Sequence, residues 1–356
     1  MRPVLSKELV RSVLAQWTGI PVEHIVKGAD SYVSLENLQE KLNSVIFGQE
    51  EAIRAVVDAL KRRAVLRKEG AVARPIATLM FIGPSGTGKT ELAKQIAIHF
   101  FGDQRRLIKI NMNDFREPHT ASRLVGAPPG YVGYNQGGQL ISAISKEPFS
   151  VVLFDEIEKA HPEVVVNILL QMMGEGVLTD MSTGTIVDCS SVMILMTSNL
   201  GNTGVGQRNI GFSQIESSND ERHYRQRVID AVWDFFPPEF IGRIDDIIIF
   251  NHLGEEALMR IFDREVHSLE EQLSANGSVR IKISELARKI FSQEARDEQL
   301  GARTVQKVFS ERIEKPCSEL KLSGYLERDK PLLITVDLDA EGRFVYEVCN
   351  MSDEEK

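Results

Sequence analysis

The sequence predicts an α/β fold in which a mainly parallel sheet lies between layers of helices, followed by a smaller α+β domain. Three observations predict it. Short apolar runs typical of buried strands alternate with amphipathic stretches through the first 250 residues. A glycine-rich turn joins one of these runs to a helix-like stretch. After Asn251 the chain changes to charged helical stretches and short strands of alternating polarity, which indicates a second domain.

The elements follow from the spacing of apolar residues. In the first domain, buried strands are expected at 77–82, 107–112, 150–154, 192–197 and 247–250. Helices are expected at 6–16, 35–42, 49–66, 138–145, 163–173 and 221–235, and long loops at 117–138 and 201–220. In the second domain, helices are expected at 255–273, 285–292 and 304–320, with strands at 279–283, 332–337 and 343–348, the last two as a hairpin.

The composition narrows the class of protein. With 356 residues, 42% hydrophobic and 26% charged, the chain is typical of a globular protein of two domains. The net charge of −9 disfavours a general nucleic-acid surface. The three cysteines lie far apart without a C-x-x-C pair, which favours a reducing compartment over a disulfide framework or zinc site. Because no apolar run could span a bilayer and no signal peptide is recognisable, we expect a cytoplasmic protein, in a bacterial cytosol or an organelle matrix or stroma, without membrane partners.

The turn after the first strand matches the phosphate-binding pattern G-x-x-x-x-G-K-S/T at every fixed position, between a predicted strand and a predicted helix. Its residues are Gly83, Pro84, Ser85, Gly86, Thr87, Gly88, Lys89 and Thr90. Glycines let backbone N–H groups curl around phosphate oxygens, and the helix N-terminus adds its dipole. Lys89 is expected to reach the β- and γ-phosphates of ATP, and Thr90 to bind Mg²⁺. The alternative is a glycine-rich turn without a ligand.

Polar residues end two further strands. Asp155 and Glu156 follow strand 150–154, so Asp155 can hold Mg²⁺ through water while Glu156 polarises the attacking water. The alternative, two surface acids after a strand, is common in α/β proteins but does not explain the motif upstream. Asn199 follows strand 192–197, and its amide can hydrogen-bond the γ-phosphate or that water. These residues together predict an ATPase.

The order of the motifs resembles the Clp branch of the AAA+ ATPases, specifically the second ATPase module of ClpC, ClpA and ClpB, with most likeness to ClpC. The matching segments are WTGIP, VIFGQEEAI, GPSGTGKTELA, SRLVGAPPGYVGY, VVLFDEIEKAHP, LTD, MTSNLG, PPEFIGRID and GAR. The resemblance implies a P-loop AAA+ three-layer sandwich with a small C-terminal lid, assembled as a homo-hexameric ring that binds ATP and Mg²⁺ between subunits.

The resemblance also implies roles for single residues. Asn199 is similar to a first sensor of nucleotide, Arg243 to an arginine finger that reaches a neighbouring subunit, and Arg303 to a second sensor. Val45 and Ile46 are similar to the wall of the adenine pocket. A guanidinium suits a phosphate oxygen because it is always charged. Taken alone, Arg243 is equally consistent with a structural ion pair, and Arg303 with a charge at a helix start.

Two loops carry the implied contacts with other proteins. Tyr131 and Val132 are similar to a pore loop that grips substrate polypeptide, so the implied substrates are unfolded or tagged proteins. The tripeptide of Ile210, Gly211 and Phe212 is similar to the one that docks ClpC- and ClpA-like proteins on the ClpP peptidase. Adaptor proteins are implied through N-terminal regions that this chain does not contain.

The expected domain limits are 1–34 for a lead-in segment, 35–250 for the large nucleotide-binding domain, 251–348 for the small lid and 349–356 for a disordered tail. The start of the chain indicates a fragment of a longer protein. The chain departs from the family pattern at Pro237, where arginine is usual, at Gly242, where asparagine is usual, and at 180–184, where a glycine-rich turn is usual.

The leading hypothesis is a motor that uses ATP hydrolysis to thread protein through a pore and feed a peptidase. A stand-alone disaggregase of the ClpB kind is the main alternative. A nucleotide-gated scaffold is disfavoured because it does not need Glu156. A nucleic-acid machine of the clamp-loader kind is disfavoured by the acidic charge and by the Tyr131 loop.

Overall fold

The structure is a computed structural model that describes residues 6, 8–10, 12–13, 30–66, 74–128, 130, 137–202, 218–274, 279–295, 301–323 and 332–350. The chain divides into two compact units. The first comprises Met1–Gly83 and Gly88–Phe250, and the second comprises Pro84–Thr87 and Asn251–Lys356. None of the described helices combines the length and apolar character required to cross a bilayer.

The first unit is built on a five-stranded parallel sheet with strand order β2-β3-β6-β1-β7. The strands of this unit are β1 (Ala77–Ile82), β2 (Leu107–Asn111), β3 (Ser150–Asp155), β4 (Val177–Thr179), β5 (Ile186–Asp188), β6 (Val192–Ser198) and β7 (Asp246–Ile249). Strands β4 and β5 form a separate antiparallel hairpin. Alternate residues of β1 enter two different cores, with Leu79 and Phe81 on one face of the sheet and Met80 and Ile82 on the other. Both faces are therefore covered, as parallel sheets require.

Helices make up the outer layers of the first unit. They are α1 (Asp30–Asn43), α2 (Glu50–Leu66), α3 (Lys89–His99), α4 (Ala121–Val125), α5 (Gln139–Lys146), α6 (Pro162–Glu175), α7 (Ser218–Phe235) and α8 (Pro238–Ile241). Leucines and isoleucines of α1, α2 and α3 pack in one core, and apolar residues of α5, α6 and α7 pack in the other. The predicted three-layer architecture is confirmed.

The second unit carries a three-stranded sheet with strand order β10-β9-β8. Its elements are α9 (Glu255–Leu273), β8 (Val279–Ile283), α10 (Glu285–Glu294), α11 (Ala302–Phe309), α12 (Lys315–Leu322), β9 (Leu332–Leu338) and β10 (Phe344–Asn350). Strands β9 and β10 are antiparallel, as predicted, whereas β8 and β9 are parallel. Phe262 of α9 anchors the helices, since its ring lies 4.0 Å from the Phe291 ring and 5.8 Å from the Phe309 ring.

Several expected elements were wrong in detail. The predicted loop at 117–138 contains the short helix α4, and the β4–β5 hairpin was not predicted. The helix predicted at 304–320 is interrupted by a π-helical turn at Ser310–Glu314. Helix α1 begins at Asp30, five residues before the predicted start at residue 35. Elements of three to five residues show no clear repeat of apolar positions, which explains why helix α4 and the β4–β5 hairpin were missed.

Candidate active site

The turn after β1 has the backbone shape that a phosphate cradle requires. Gly86 and Gly88 have φ of 74° and 98°, in the left-handed region that favours glycine. Gly83 has no room for a side chain, because a Cβ there would lie 2.5 Å from the Phe250 carbonyl oxygen. Helix α3 begins at Lys89, immediately after the turn, and contributes the positive end of its dipole. The predicted P-loop therefore has the geometry that its sequence implies.

Lys89 is nearly buried, with 8% of its surface exposed. Its Nζ donates to the Gly83 carbonyl oxygen at 2.6 Å and to Asn199 Oδ1 at 3.0 Å. The second contact joins the P-loop to the carboxyl end of β6. An ammonium group directly after the glycine-rich turn suits an anionic phosphate, because opposite charges attract strongly in a partly buried site.

Asp155 lies at the carboxyl end of β3 and receives three side chains. Thr90 and Thr197 donate to its Oδ1 at 3.2 and 2.6 Å, and Lys109 Nζ lies 2.7 Å from its Oδ2. Burial opposes ionisation, but the hydrogen bonds from Lys109 and Thr197 outweigh it, so the pKa of Asp155 lies below its ordinary value. A carboxylate held ionised beside a threonine hydroxyl fits Mg²⁺, which takes oxygen ligands from one or two protein groups together with phosphates.

Glu156 leaves the strand in an unusual conformation. Its φ of 60° and ψ of 55° place it in the left-handed region, where it is the only residue other than glycine among the described residues. Its N–H donates to Thr197 Oγ1 at 2.9 Å, and its Oε2 accepts from Asn113 Nδ2 at 2.5 Å. The backbone and the carboxylate of Glu156 are thus each held by a named partner.

Asn199 follows β6, and its two ends are both engaged. Its side-chain oxygen accepts from Lys89, and its N–H donates to Glu158 Oε1 at 3.2 Å. Since β1, β3 and β6 are adjacent and parallel, their carboxyl ends meet at one edge of the sheet. The structure therefore brings Lys89, Thr90, Asp155 and Asn199 to one edge of the sheet, where a network of side-chain hydrogen bonds pairs Lys89 with Asn199 and Thr90 with Asp155.

Sequence reasoning missed four residues that complete this network: Lys109, Asn113, Glu158 and Thr197. Thr197 carried a usable signal, since it is a polar residue inside an apolar run. Lys109 and Asn113 carried none, because their contacts depend on β2 lying beside β3, a pairing between segments about 40 residues apart.

The expected adenine wall lies in the first unit, next to Gly88. Val45 and Ile46 follow α1, and their N–H groups both donate to the Leu42 carbonyl oxygen. Ile46 is buried, and its Cγ2 lies 3.8 Å from where a Cβ would stand on Gly88. An apolar side chain at that place suits the face of a base.

The two predicted arginines belong to different units, Arg243 to the first and Arg303 to the second. Arg243 donates to the Leu170 carbonyl oxygen at 2.6 Å and to Glu239 Oε1 at 3.0 Å. Its guanidinium group also packs against Gly174, because a Cβ on Gly174 would lie 1.8 Å from Arg243 Nη1. Arg303 is exposed in the first turn of α11, in the second unit. In that unit the N–H of Ala302 donates to the Gly86 carbonyl oxygen at 3.0 Å.

Three chain segments pack closely at the base of the predicted pore loop, and we call them the neck. They lie around Val125, Gly138 and Met181. A Cβ on Gly138 would lie 2.4 Å from the Leu124 carbonyl oxygen, and one on Gly126 would lie 2.6 Å from Asp180 Oδ1. The Met181 N–H donates to the Val125 carbonyl oxygen at 2.8 Å, which ties the turn of the β4–β5 hairpin to the neck. The predicted substrate residues Tyr131 and Val132, and the docking residues Ile210, Gly211 and Phe212, lie outside the described residues.

Two family models match the chain in succession. The model described as "AAA domain (Cdc48 subfamily)" matches residues 74–247, and the model described as "C-terminal, D2-small domain, of ClpB protein" matches residues 253–334.

Curated relatives extend the match to nearly the whole chain. A chaperone protein ClpB of Meiothermus ruber is 38% identical over 325 residues, which are 91% of this chain and 36% of the relative. An ATP-dependent Clp protease ATP-binding subunit ClpC of Staphylococcus aureus (strain USA300) is 39% identical over 357 residues, 100% of this chain and 42% of the relative. The chain thus spans about two fifths of the length of the relatives it matches.

A solved structure shares the fold. The closed-state cryo-EM reconstruction of Hsp104 with ATPγS and FITC casein superposes with a TM-score of 0.78 at 31% sequence identity. The match covers 96% of this chain and 56% of the Hsp104 chain.

Proposed function

Because the chain belongs to the Clp-type AAA+ ATPases, we propose that it is an ATP-hydrolysing module that works between the subunits of a homo-hexameric ring. The observation that carries the proposal is the hydrogen-bond network that joins the P-loop, through Lys89 and Thr90, to the carboxyl ends of β3 and β6. Glu156 stands at the same edge of the sheet with its carboxylate oriented by Asn113.

In the proposed mechanism each residue has one task. Lys89 and the P-loop N–H groups would bind the phosphates, and Thr90 and Asp155 would hold Mg²⁺, Asp155 through water. Bound Mg·ATP supplies the phosphoanhydride bond that is broken. Glu156 accepts the proton of the attacking water, and Asn199 orients that water or the γ-phosphate.

Three further assignments rest on the family pattern. Val45 and Ile46 form the adenine wall. Arg243 stabilises the charge that develops on the γ-phosphate of a neighbouring subunit, and Arg303 senses the nucleotide. Arg303 stands in the first turn of α11, where a cation opposes the helix dipole. A bound anion would remove that penalty, which supports a phosphate contact.

The proposed hydrolysis is tested with Glu156→Gln. The variant should bind ATP with near wild-type affinity, since Lys89, Thr90 and Asp155 remain, while turnover falls by roughly 10²–10⁴-fold, as expected for loss of a general base. Steady-state ATPase rates as a function of protein concentration and binding of a fluorescent ATP analogue measure the two quantities. Glu175→Gln, an exposed acid at the end of α6, is the matched control and should change neither. Loss of binding together with turnover would contradict the assignment.

We further propose that the module threads unfolded or tagged protein through a central pore and delivers it to a ClpP-type peptidase in the cytosol. Tyr131 supports the grip on substrate, because an aromatic side chain can press on a polypeptide irrespective of its sequence. Ile210, Gly211 and Phe212 support the peptidase contact, since two large apolar side chains beside a glycine suit a docking tripeptide. The second candidate is a stand-alone disaggregase of the ClpB kind, and the 38% identity to a chaperone protein ClpB supports it.

Phe212→Ala separates these two candidates. In the assembled full-length protein it should abolish ClpP-dependent degradation of a fluorescent substrate while leaving ATPase activity intact. Asn209→Ala, a polar neighbour in the same loop, is the control. If the unsubstituted protein binds no ClpP in the presence of ATP, the disaggregase function replaces the peptidase partnership.

A further inference from the structure

We propose that Thr197 is a positioning residue for hydrolysis, which orients Asp155 and Glu156 with a single hydroxyl group. The proposal deepens the function proposed above and rests on it. Thr197 is the sixth residue of β6 and is 1% exposed. Its hydroxyl donates to Asp155 Oδ1 at 2.6 Å and accepts the Glu156 N–H at 2.9 Å. One oxygen atom therefore links the metal-binding carboxylate to the backbone of the next residue.

The conformation of Glu156 explains why such a link matters. A residue with a Cβ is strained in the left-handed region, and it persists there only where the surroundings enforce it. The N–H of Glu156 is held by Thr197, and its carboxylate is held separately by Asn113. Without the Thr197 oxygen, the N–H would lose its partner and the backbone would be free to relax toward an ordinary conformation. The carboxylate of Glu156 would then move away from the water it polarises.

The same hydroxyl also limits the rotation of Asp155. Thr90 donates to the same Oδ1 at the longer distance of 3.2 Å, so Thr197 makes the shorter of the two contacts. Asp155 Oδ2 is left to Lys109 at 2.7 Å. Misplacement of a catalytic group by about 1 Å can cost 10²-fold in rate, so a residue that fixes two groups has leverage on turnover without touching substrate.

The test uses three substitutions of Thr197 in the full-length protein. Thr197→Val keeps the shape but removes the hydroxyl, and it should lower kcat by about 10- to 100-fold, the range expected when a buried hydrogen-bond partner is lost. Affinity for ATP should stay within about threefold, because the P-loop contacts remain. Thr197→Ser and Thr197→Cys share one shape and differ in hydrogen bonding, since a thiol is a weak donor and acceptor. Serine should retain kcat within about threefold, and cysteine should fall well below it.

Thr78→Val is the matched control for stability. Thr78 is a buried threonine of the neighbouring strand β1, with 3% exposure, and its backbone contacts Asp245 rather than the carboxylates of the site. Thr78→Val also removes a buried hydroxyl group, but it should leave kcat unchanged. If Thr197→Val does not fold, the serine and cysteine pair still decides the outcome.

The proposal is overturned if Thr197→Val keeps wild-type kcat, if serine and cysteine give equal kcat, or if the loss appears in ATP affinity. Glu156→Gln is measured in parallel to separate this result from the wider function. Full turnover by Glu156→Gln would remove the proposed function itself. A slow Glu156→Gln beside a wild-type Thr197→Val would remove only the role of Thr197.

Discussion

The two units place their polar residues in opposite ways. In the first unit, β1 and β6 are buried along their whole length, and β3 is buried up to Asp155, its last residue. Their candidate site residues lie at or just beyond the carboxyl ends of the strands. In the second unit, β8 alternates buried Val279 and Ile281 with exposed Arg280 and Lys282. Charges there are spread along a face rather than collected at an edge.

The difference follows from burial. A strand covered on both faces cannot carry an uncompensated charge in its middle, because burying one is costly. The charges of such a sheet collect at strand ends, where hydrogen bonds to neighbours can orient them. A sheet with one face exposed to solvent can carry charged residues anywhere along that face, so they need not cluster at the strand ends. We therefore expect bond breaking to depend on the first unit, and the second unit to modulate it.

The largest effect is expected from Arg243→Ala, which tests whether ATP hydrolysis depends on residues of the first unit. Arg243→Ala should leave ATP affinity nearly unchanged and lower turnover of the assembled ring by roughly 10³-fold, since arginine fingers contribute that much or more. Arg243→Lys should not restore turnover, because an ammonium lacks the planar fork. Arg62→Ala, which removes an exposed ion pair with Asp246, is the control and should have little effect.

A mixing experiment gives the result that would contradict a role in a neighbouring subunit. Rings that combine Arg243→Ala with Glu156→Gln subunits contain some interfaces where an intact Arg243 faces an intact Glu156. Those interfaces should recover part of the turnover. Mixed rings without any recovery would argue that Arg243 acts only within its own subunit, where it contacts Leu170 and Glu239.

A smaller effect is expected from the second unit. Arg303→Ala should lower kcat/KM for ATP by about tenfold, the loss expected for one charge-assisted contact. Arg312→Ala in the same unit removes an exposed ion pair with Glu294, and it should leave ATPase kinetics unchanged. If Arg303→Ala equals or exceeds the effect of Arg243→Ala, the assignment of chemistry to the first unit fails.

The sequence predicted those parts of the first unit that repeat a local pattern. Strand β1 was predicted to the residue, because a continuous apolar run is bounded by Gly83 and Pro84. The ends of β3 and β6 beside Asp155 and Asn199 were predicted to within one residue, since strand ends can be read from the change in polarity. Helix α4 and the β4–β5 hairpin were missed because elements of three to five residues contain too few apolar positions to show a repeat.

Long-range pairing set the limit of prediction. The contact of Asn113 with Glu156 requires β2 beside β3, and the two contacts of Thr197 require β6 beside β3. Nothing local to these residues encodes which strand lies next to which. The π-helical turn at Ser310–Glu314 is a similar case: its Ile313 is fully buried, but a shift of helical phase leaves no signal in a short window.

The smallest effect compares the stability of the two units through their buried thiols. Cys189 in the first unit and Cys317 in the second are both fully buried, whereas Cys349 on β10 is exposed. Burial raises the pKa of Cys189 to about 12 and that of Cys317 to about 11. The reactive thiolate is then at most roughly 10⁻³ of either thiol at pH 8, so neither should react with iodoacetamide before its unit opens.

Pulse labelling of the intact chain across a urea series, read by peptide mass spectrometry, measures each opening separately. Cys349 should react at every urea concentration and serves as the internal control for reagent activity. Cys317 should become reactive at lower urea than Cys189, because the second unit is smaller and a smaller unit buries a smaller fraction of its surface. Reaction of both thiols at one urea concentration would mean that the two units unfold cooperatively. The units would then differ in the placement of their charged residues but not in stability.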